Sequence, residues 1–262
     1  MKYHFDAEKH LHTLDGVPLT GTSSVVGVLK KPLTWWASGK ALELLGWTPT
    51  KSAKKERAKA SGAILTSLQG IDPDAYQALL DRAYRNHKDS LDKSAVAGTD
   101  LHAELQTYIE RVMHGAVNPT IGLGPRINPF VLWATENVKS FIFSEANCYS
   151  EKLWTGGIAD AGAELKDGRK ALIDFKSAKG AYASHFIQCA GYTTAIEENG
   201  IFNADGKPLP YDDSSPFDCI IVVPFGADPV VPVEAPNAVS VYRDGFAASV
   251  VLYRILGLDK EV

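Results

Sequence analysis

Cysteine is scarce in this 262-residue chain: Cys148, Cys189 and Cys219 are the whole complement, odd in number and without a C-x-x-C pair. That argues against a disulfide framework, a four-cysteine zinc site and an iron–sulfur cluster, and it leaves buried thiols in a reducing compartment as the expectation. Long apolar runs are missing as well. None exceeds that of Cys219 to Val223, which stops at Pro224, far short of the roughly 20 residues that a membrane-spanning helix requires. Met1 to Gly16 lacks the apolar stretch of a signal peptide, so a cytoplasmic protein with no membrane partner is expected. No G-x-x-x-x-G-K-[ST] loop occurs, which excludes an ATP motor of that type, and neither internal repeats nor low-complexity tracts are present. Neither sign of charge dominates: 27 Lys and Arg against 31 Asp and Glu leave −4. A histone-like polycation is excluded, while a local basic path along a nucleic acid is not.

What remains is an ordinary globular composition, 45% hydrophobic and 22% charged. Residues 3–14 read as a hairpin followed by an Asp15-Gly16 turn. Ser23 to Leu29 reads as a capped helix, and Trp35-Trp36 opens another. Lys51, Lys54, Lys55, Arg57 and Lys59 place five cations within nine residues, either a solvated helix face or a face for phosphates. Helical composition runs from Pro73 to Ala97, and Gly98-Thr99 is expected to punctuate it. Thr99 would then cap a new helix, with Leu101, Leu105, Tyr108, Ile109 and Val112 on its apolar side and Gly115 at its end. Asn128-Pro129 begins a further helix reaching about Ser140. Segments 141–150, 156–165 and 170–176 read as successive strands, then come a helix over about 181–198, a strand at 217–223 and an amphipathic helix at 244–256.

The chemistry concentrates on the strands. In Lys170 to Lys176 the period of two sets Asp174 and Lys176 on one face and Ile173 and Phe175 on the other. Gly156-Gly157-Ile158-Ala159-Asp160 adds a second carboxylate on a strand of small residues, which would let a substrate backbone approach. Two carboxylates on adjacent strands suit a hard divalent cation that polarises a phosphoryl oxygen and acidifies a bound water. Parity decides whether they can share one. A two-residue Asp167-Gly168 turn sets Asp160 opposite Phe175, whereas a three-residue loop, Lys166-Asp167-Gly168 with Gly168 left-handed, sets it opposite Asp174.

Taken in order, Gly98-Thr99-Asp100-Leu101-His102, Glu145, Gly157-Ile158-Ala159-Asp160, Asp174-Phe175-Lys176 and Gln188-x-x-x-Tyr192 resemble the PD-(D/E)XK nuclease superfamily. The likeness is to its RecB-like exonuclease branch, which includes phage and mitochondrial single-domain members; Gly21 to Trp36 is loosely similar to the phage members too. The resemblance implies metal binding by Asp160, Asp174, the main-chain carbonyl of Phe175, and His102 from a preceding helix. It makes Lys176 the catalytic lysine and places Gln188 and Tyr192 beside the active site and the DNA. His185 falls on the same side of that helix. Glu145 matches an acid whose role varies, with Glu151 a nearby competitor, and both rank below the two aspartates. One departure is Gln106, where members often carry an acid four residues after the histidine.

The resemblance therefore implies an α/β fold with a restriction-endonuclease-like core, a mixed central sheet flanked by helices. Residues 98–262 would form that core and residues 1–97 an N-terminal hairpin and helical lobe. The implied activity is Mg²⁺- or Mn²⁺-dependent DNA exonuclease action in phage-type recombination or replication. The implied partners are DNA and a single-strand annealing or recombination protein. A structure-specific endonuclease on the same core, or a catalytically silent DNA-binding protein, are the alternatives.

Overall fold

In the computed structural model, which describes residues 2–29, 34–45, 69–212 and 214–260, the expected strands form the centre of an α/β fold. Strands β5 (Val138–Ser150), β6 (Thr155–Leu165) and β7 (Lys170–Lys176) follow one another antiparallel. Helix α5 (Ala183–Asn199) then crosses over, so β8 (Cys219–Pro224) returns parallel to β7. The short β9 (Val233–Glu234) pairs antiparallel with β8, and β4 (Thr20–Gly21) pairs parallel with β6. The sheet is mixed, with helices on both faces.

Helix α3 (Pro73–Met113) and helix α4 (Asn128–Asn137) cover one face. Leu101, Leu105, Ile109 and Phe130 pack there against Ala161, Ala163, Ile173, Phe175 and Ile221. Helix α5 covers the other face, with Phe186, Cys189 and Ile196 against Ala146, Leu172, Ile220 and Val222. Helix α6 (Val239–Ile255) lies over α5, and the Phe246 ring occupies the space that a Cβ on Gly191 would need, 2.7 Å away. Strict alternation in β7 thus sends Ile173 and Phe175 to α3 and α4, as the period of two predicts.

The expected break at Gly98-Thr99 does not occur: α3 is continuous from Pro73 to Met113. Asp72 caps its start by accepting the N–H groups of Asp74 and Ala75, with Pro73 at the first helical position. A glycine inside a helix costs only about 1 kcal/mol against alanine, too little to stop a helix packed on both sides of it. Gly98 also has a packing reason, since a Cβ there would lie 3.0 Å from Ser177 Oγ. Gly115 does end the helical run, in the left-handed region at φ +72°.

The chain divides into two compact units, residues 1–30 together with 98–262, and residues 31–97. The N-terminal hairpin therefore belongs with the larger unit, not with a lobe spanning 1–97. Strands β1 (Tyr3–Asp6), β2 (Leu11–Leu14) and β3 (Val17–Pro18) form a small sheet, and Asp15-Gly16 makes the tight turn between the last two, both at positive φ. Tyr3, Phe5, Leu14 and Leu19 bury themselves against Tyr149 of β5 and Phe202. That long-range packing ties the hairpin to the sheet. In the smaller unit, helix α2 (Thr34–Leu44) is joined to α3 by Asn86, which donates to the Lys40 carbonyl. The basic run Lys51 to Lys59 lies outside the described residues. Among the described residues no helix is long and apolar enough to cross a membrane.

Candidate metal centre

The hairpin β6–β7 closes with the three-residue loop: the Leu165 N–H donates to the Arg169 carbonyl at 2.8 Å, and Gly168 is left-handed at φ +89°. The resulting register pairs Ala161 with Ile173, so the next rung would set Asp160 against Asp174. The regular ladder stops just before that rung. Beyond it the Phe175 N–H turns to the Asp160 carboxylate, Oδ2 at 2.7 Å.

The reason lies in how β6 is shared. β5 pairs with it from Thr155 to Leu165, so β4 and β7 must occupy the opposite edge, β4 at Thr155-Gly156 and β7 at Ala161–Glu164. Between them Gly157 to Asp160 have no strand partner on that edge among the described residues. Side-chain alternation also reverses here. Gly157 and Ala159 face α5, but Ala161 and Ala163 face α3 and α4. On β5 the same reversal falls at Glu145, which adopts φ +47°. A left-handed glutamate inside a strand is uncommon and costs on the order of 1–3 kcal/mol.

The reversal brings Glu145 and Asp160 to His102 of α3. One ligand atom from each of the three lies within 4.8 Å of the others. His102 Nδ1 is 3.6 Å from Glu145 Oε1 and 3.7 Å from Asp160 Oδ1, while its Nε2 is 3.1 Å from the Phe175 carbonyl oxygen. Two donors each about 2.1 Å from one ion stand roughly 3 Å apart when adjacent and about 4.2 Å apart when opposite. The Nδ1 spacings match a shared cation better than direct hydrogen bonds, whereas Nε2 faces the Phe175 carbonyl at hydrogen-bond distance on the other side of the ring, so that carbonyl orients the imidazole. Asp174 does not join this group: Lys176 Nζ donates to its Oδ1 at 2.7 Å. Its Oδ2 is buried beside the Cys189 thiol, whose burial and contact with this carboxylate hold it well above the ordinary thiol range; among the described residues Oδ2 has no other polar partner. The donor set of two carboxylates and one imidazole fits a hard or borderline divalent metal, and the Phe175 carbonyl, a ligand by the resemblance, instead holds the far nitrogen of His102.

Electrostatics agree with that chemistry. Burial, then the nearby Asp174 charge, pushes Asp160 up to about 7. Burial opposes charging of His102, but the carboxylates of Glu145 and Asp160 beside it outweigh that and raise the imidazole to about 9. Lys176 is likewise held cationic against its burial by Asp174 and Asp160. Acid groups this close retain protons unless a stronger positive charge replaces them.

Gln188 and Tyr192 stand side by side on α5, the amide donating to the phenol at 2.6 Å. Tyr192 needs the bare strand below it, because a Cβ on Gly157 would lie 2.5 Å from its ring. Phe143 makes the same use of Gly162, and His12 of Gly156. The small residues of β6 thus admit the protein's own rings, not a substrate backbone as expected. Glu151 is remote from this group, in the turn after β5 that Glu198 holds through the Glu151 and Lys152 N–H groups.

A cleft of about 410 Å³ opens over Glu145, Asp160, Gly157, Ile158 and Tyr192. The cleft is also lined by Lys9, His10 and the Thr22, Ser23 and Ser24 side of the short helix α1 (Thr22–Val25). Only the loose likeness of Gly21 to Trp36 to the phage members touches that lining; Lys9 and His10 reach it through long-range packing. Comparison with protein-family models and with curated proteins finds no match. The site must be interpreted from its geometry.

Proposed function

We propose that this chain is a divalent-metal-dependent deoxyribonuclease with a restriction-endonuclease-like PD-(D/E)XK core of the RecB-like branch, acting as an exonuclease in phage-type recombination or replication. The convergence of His102, Glu145 and Asp160 at the fork in β6, beside the Asp174–Lys176 pair, carries this reading. The motifs that suggested the family lie on α3, β5, β6, β7 and α5, and these elements bring them into one neighbourhood.

His102, Glu145 and Asp160 would hold Mg²⁺ or Mn²⁺, with Asp174 the further ligand that the resemblance implies and the Phe175 carbonyl orienting the imidazole. When bound, the metal supplies Lewis acidity to a phosphoryl oxygen and lowers the pKa of a water molecule. Lys176 steadies charge that develops on the phosphate and orients the attacking water. Its tether to Asp174 fixes the ammonium at the end of β7. Gln188 and Tyr192 position the backbone of the strand being cut. Buried free thiols at Cys148, Cys189 and Cys219 suit a reducing cytoplasm.

The test is incubation of the purified protein with linear DNA labelled at either end and with closed circles, with Mg²⁺, Mn²⁺ or EDTA. Metal-dependent shortening of linear DNA alone supports the exonuclease. Nicked circles favour an endonuclease, and binding without cleavage favours a silent DNA-binding protein.

A further inference from the structure

We propose that His185 donates its Nε2–H to a non-bridging oxygen of the scissile phosphate, a role that rests on the nuclease reading above. His185, Gln188 and Tyr192 follow the spacing that aligns side chains along one side of α5. Tyr192 marks where that side leads, over Gly157 and into the cleft that holds Asp160 and Glu145. His185 is two turns nearer the start of α5, beside the end of β7, where the charges of Lys176 and Asp174 both act on its ring.

The ring's tautomer is set by its neighbour. The Tyr182 N–H donates to His185 Nδ1 at 3.3 Å, so Nδ1 is an acceptor and the neutral imidazole carries its proton on Nε2. The Tyr182 ring meets it edge-on at 5.3 Å and restrains its plane. Among the described residues Nε2 has no hydrogen-bond partner. Burial, then the Lys176 charge, lowers the imidazole below its ordinary pKa, so it remains a neutral donor next to a lysine and a metal centre. A neutral N–H is suited to a phosphate oxygen there, because it adds hydrogen bonding without repelling the other cations.

Helix capping alone would also explain the Tyr182 contact, and three variants separate the roles. His185→Gln keeps both an acceptor for the Tyr182 N–H and an outward donor; His185→Glu keeps only the acceptor; His185→Ala keeps neither. The expected result is that kcat on linear DNA falls about 100-fold in the Glu and Ala variants, the usual scale for one lost transition-state donor. The Gln variant should stay within about tenfold of wild type on the same scale. Mg²⁺ affinity by calorimetry should be unchanged in all three, and the Glu variant should keep the wild-type thermal midpoint. Glu and Gln variants with equal kcat would overturn the proposal in favour of capping, and an Ala variant as fast as wild type would overturn it outright. A wild-type protein that cleaves no DNA with either metal would instead refute the nuclease reading, and this proposal with it.

Discussion

The Phe175 N–H donates to the side chain of Asp160, 2.7 Å away, where a regular ladder would give it a backbone carbonyl. One carboxylate thus has two tasks: Oδ2 closes the end of the β6–β7 pairing while Oδ1 faces His102. The two tasks separate by substitution. Asp160→Asn retains an acceptor for Phe175 and should leave the unfolding midpoint in urea nearly unchanged while weakening metal binding at least about tenfold. Asp160→Ala loses both and should also destabilise by roughly 1–3 kcal/mol, the cost of an unsatisfied buried donor.

Metal binding should release protons. With His102 at about 9 and Asp160 at about 7, the metal-free site holds protons that a bound cation must displace, so apparent affinity rises with pH through this range. The linkage to stability has the opposite sign. The folded state keeps a proton on Asp160 that the unfolded chain releases from about pH 4 upward, so the metal-free protein loses stability as pH rises toward 7. Calorimetric titration with Mn²⁺ at pH 6.5 in buffers of different ionisation enthalpy measures the release, and equal apparent enthalpies would refute it.

Lys176 and Asp174 should prove unequal in stability though alike in activity. Lys176→Met strands the buried Asp174 carboxylate, which is 1% exposed, and breaking such a pair costs roughly 3–5 kcal/mol. Asp174→Asn leaves the partly exposed ammonium able to reach solvent and should cost less. Both variants should lose DNA cleavage and keep DNA binding, as gel-shift and cleavage assays on the same preparations would show.

Acid stability should depend on a histidine far from the metal centre. His12 is buried, with Nδ1 2.6 Å from the Tyr3 hydroxyl and its ring stacked on Phe5. Burial first, then the charge of His10, lowers it to about 4. Its contribution is complete above the ordinary value near 6.5 and is lost as pH falls from there toward 4, because the unfolded chain takes up the proton first. The loss should approach about 3 kcal/mol. His12→Gln should flatten this part of the stability profile; an unchanged acid slope would show that other groups cause it.

Much of this arrangement was legible in the residues. The parity of Lys170 to Lys176 assigned its two faces, and the demand that two carboxylates meet selected the loop with Gly168 left-handed. Periodicity also found Leu101, Leu105, Tyr108 and Ile109 on the buried side of α3. Gly98 misled, because a helix breaker read locally carries no information about the Ser177 hydroxyl that requires the missing Cβ. The place of Glu145 beside His102 was not legible for a related reason. Alternation along β5 cannot foretell a left-handed residue that reverses it, and that reversal, not the order of motifs, brings Glu145 to His102 while Asp174 turns to Lys176. The attachment of the hairpin to the sheet depends on Tyr3 meeting Tyr149 and Phe202, contacts between distant segments that no local pattern records.

Glu145 and Asp160 interrupt alternation on the same rung, yet Ser144 still pairs with Ala161 and Ala146 with Ala159, in one register on either side. The two faults compensate each other. A single fault would turn the remainder of one strand inside out, sending its core residues to the wrong layer. Inheritance at this rung is consequently joint: a deletion or insertion tolerated by one strand would need its counterpart in the other. The positions of the two acids that face His102 can thus shift only together.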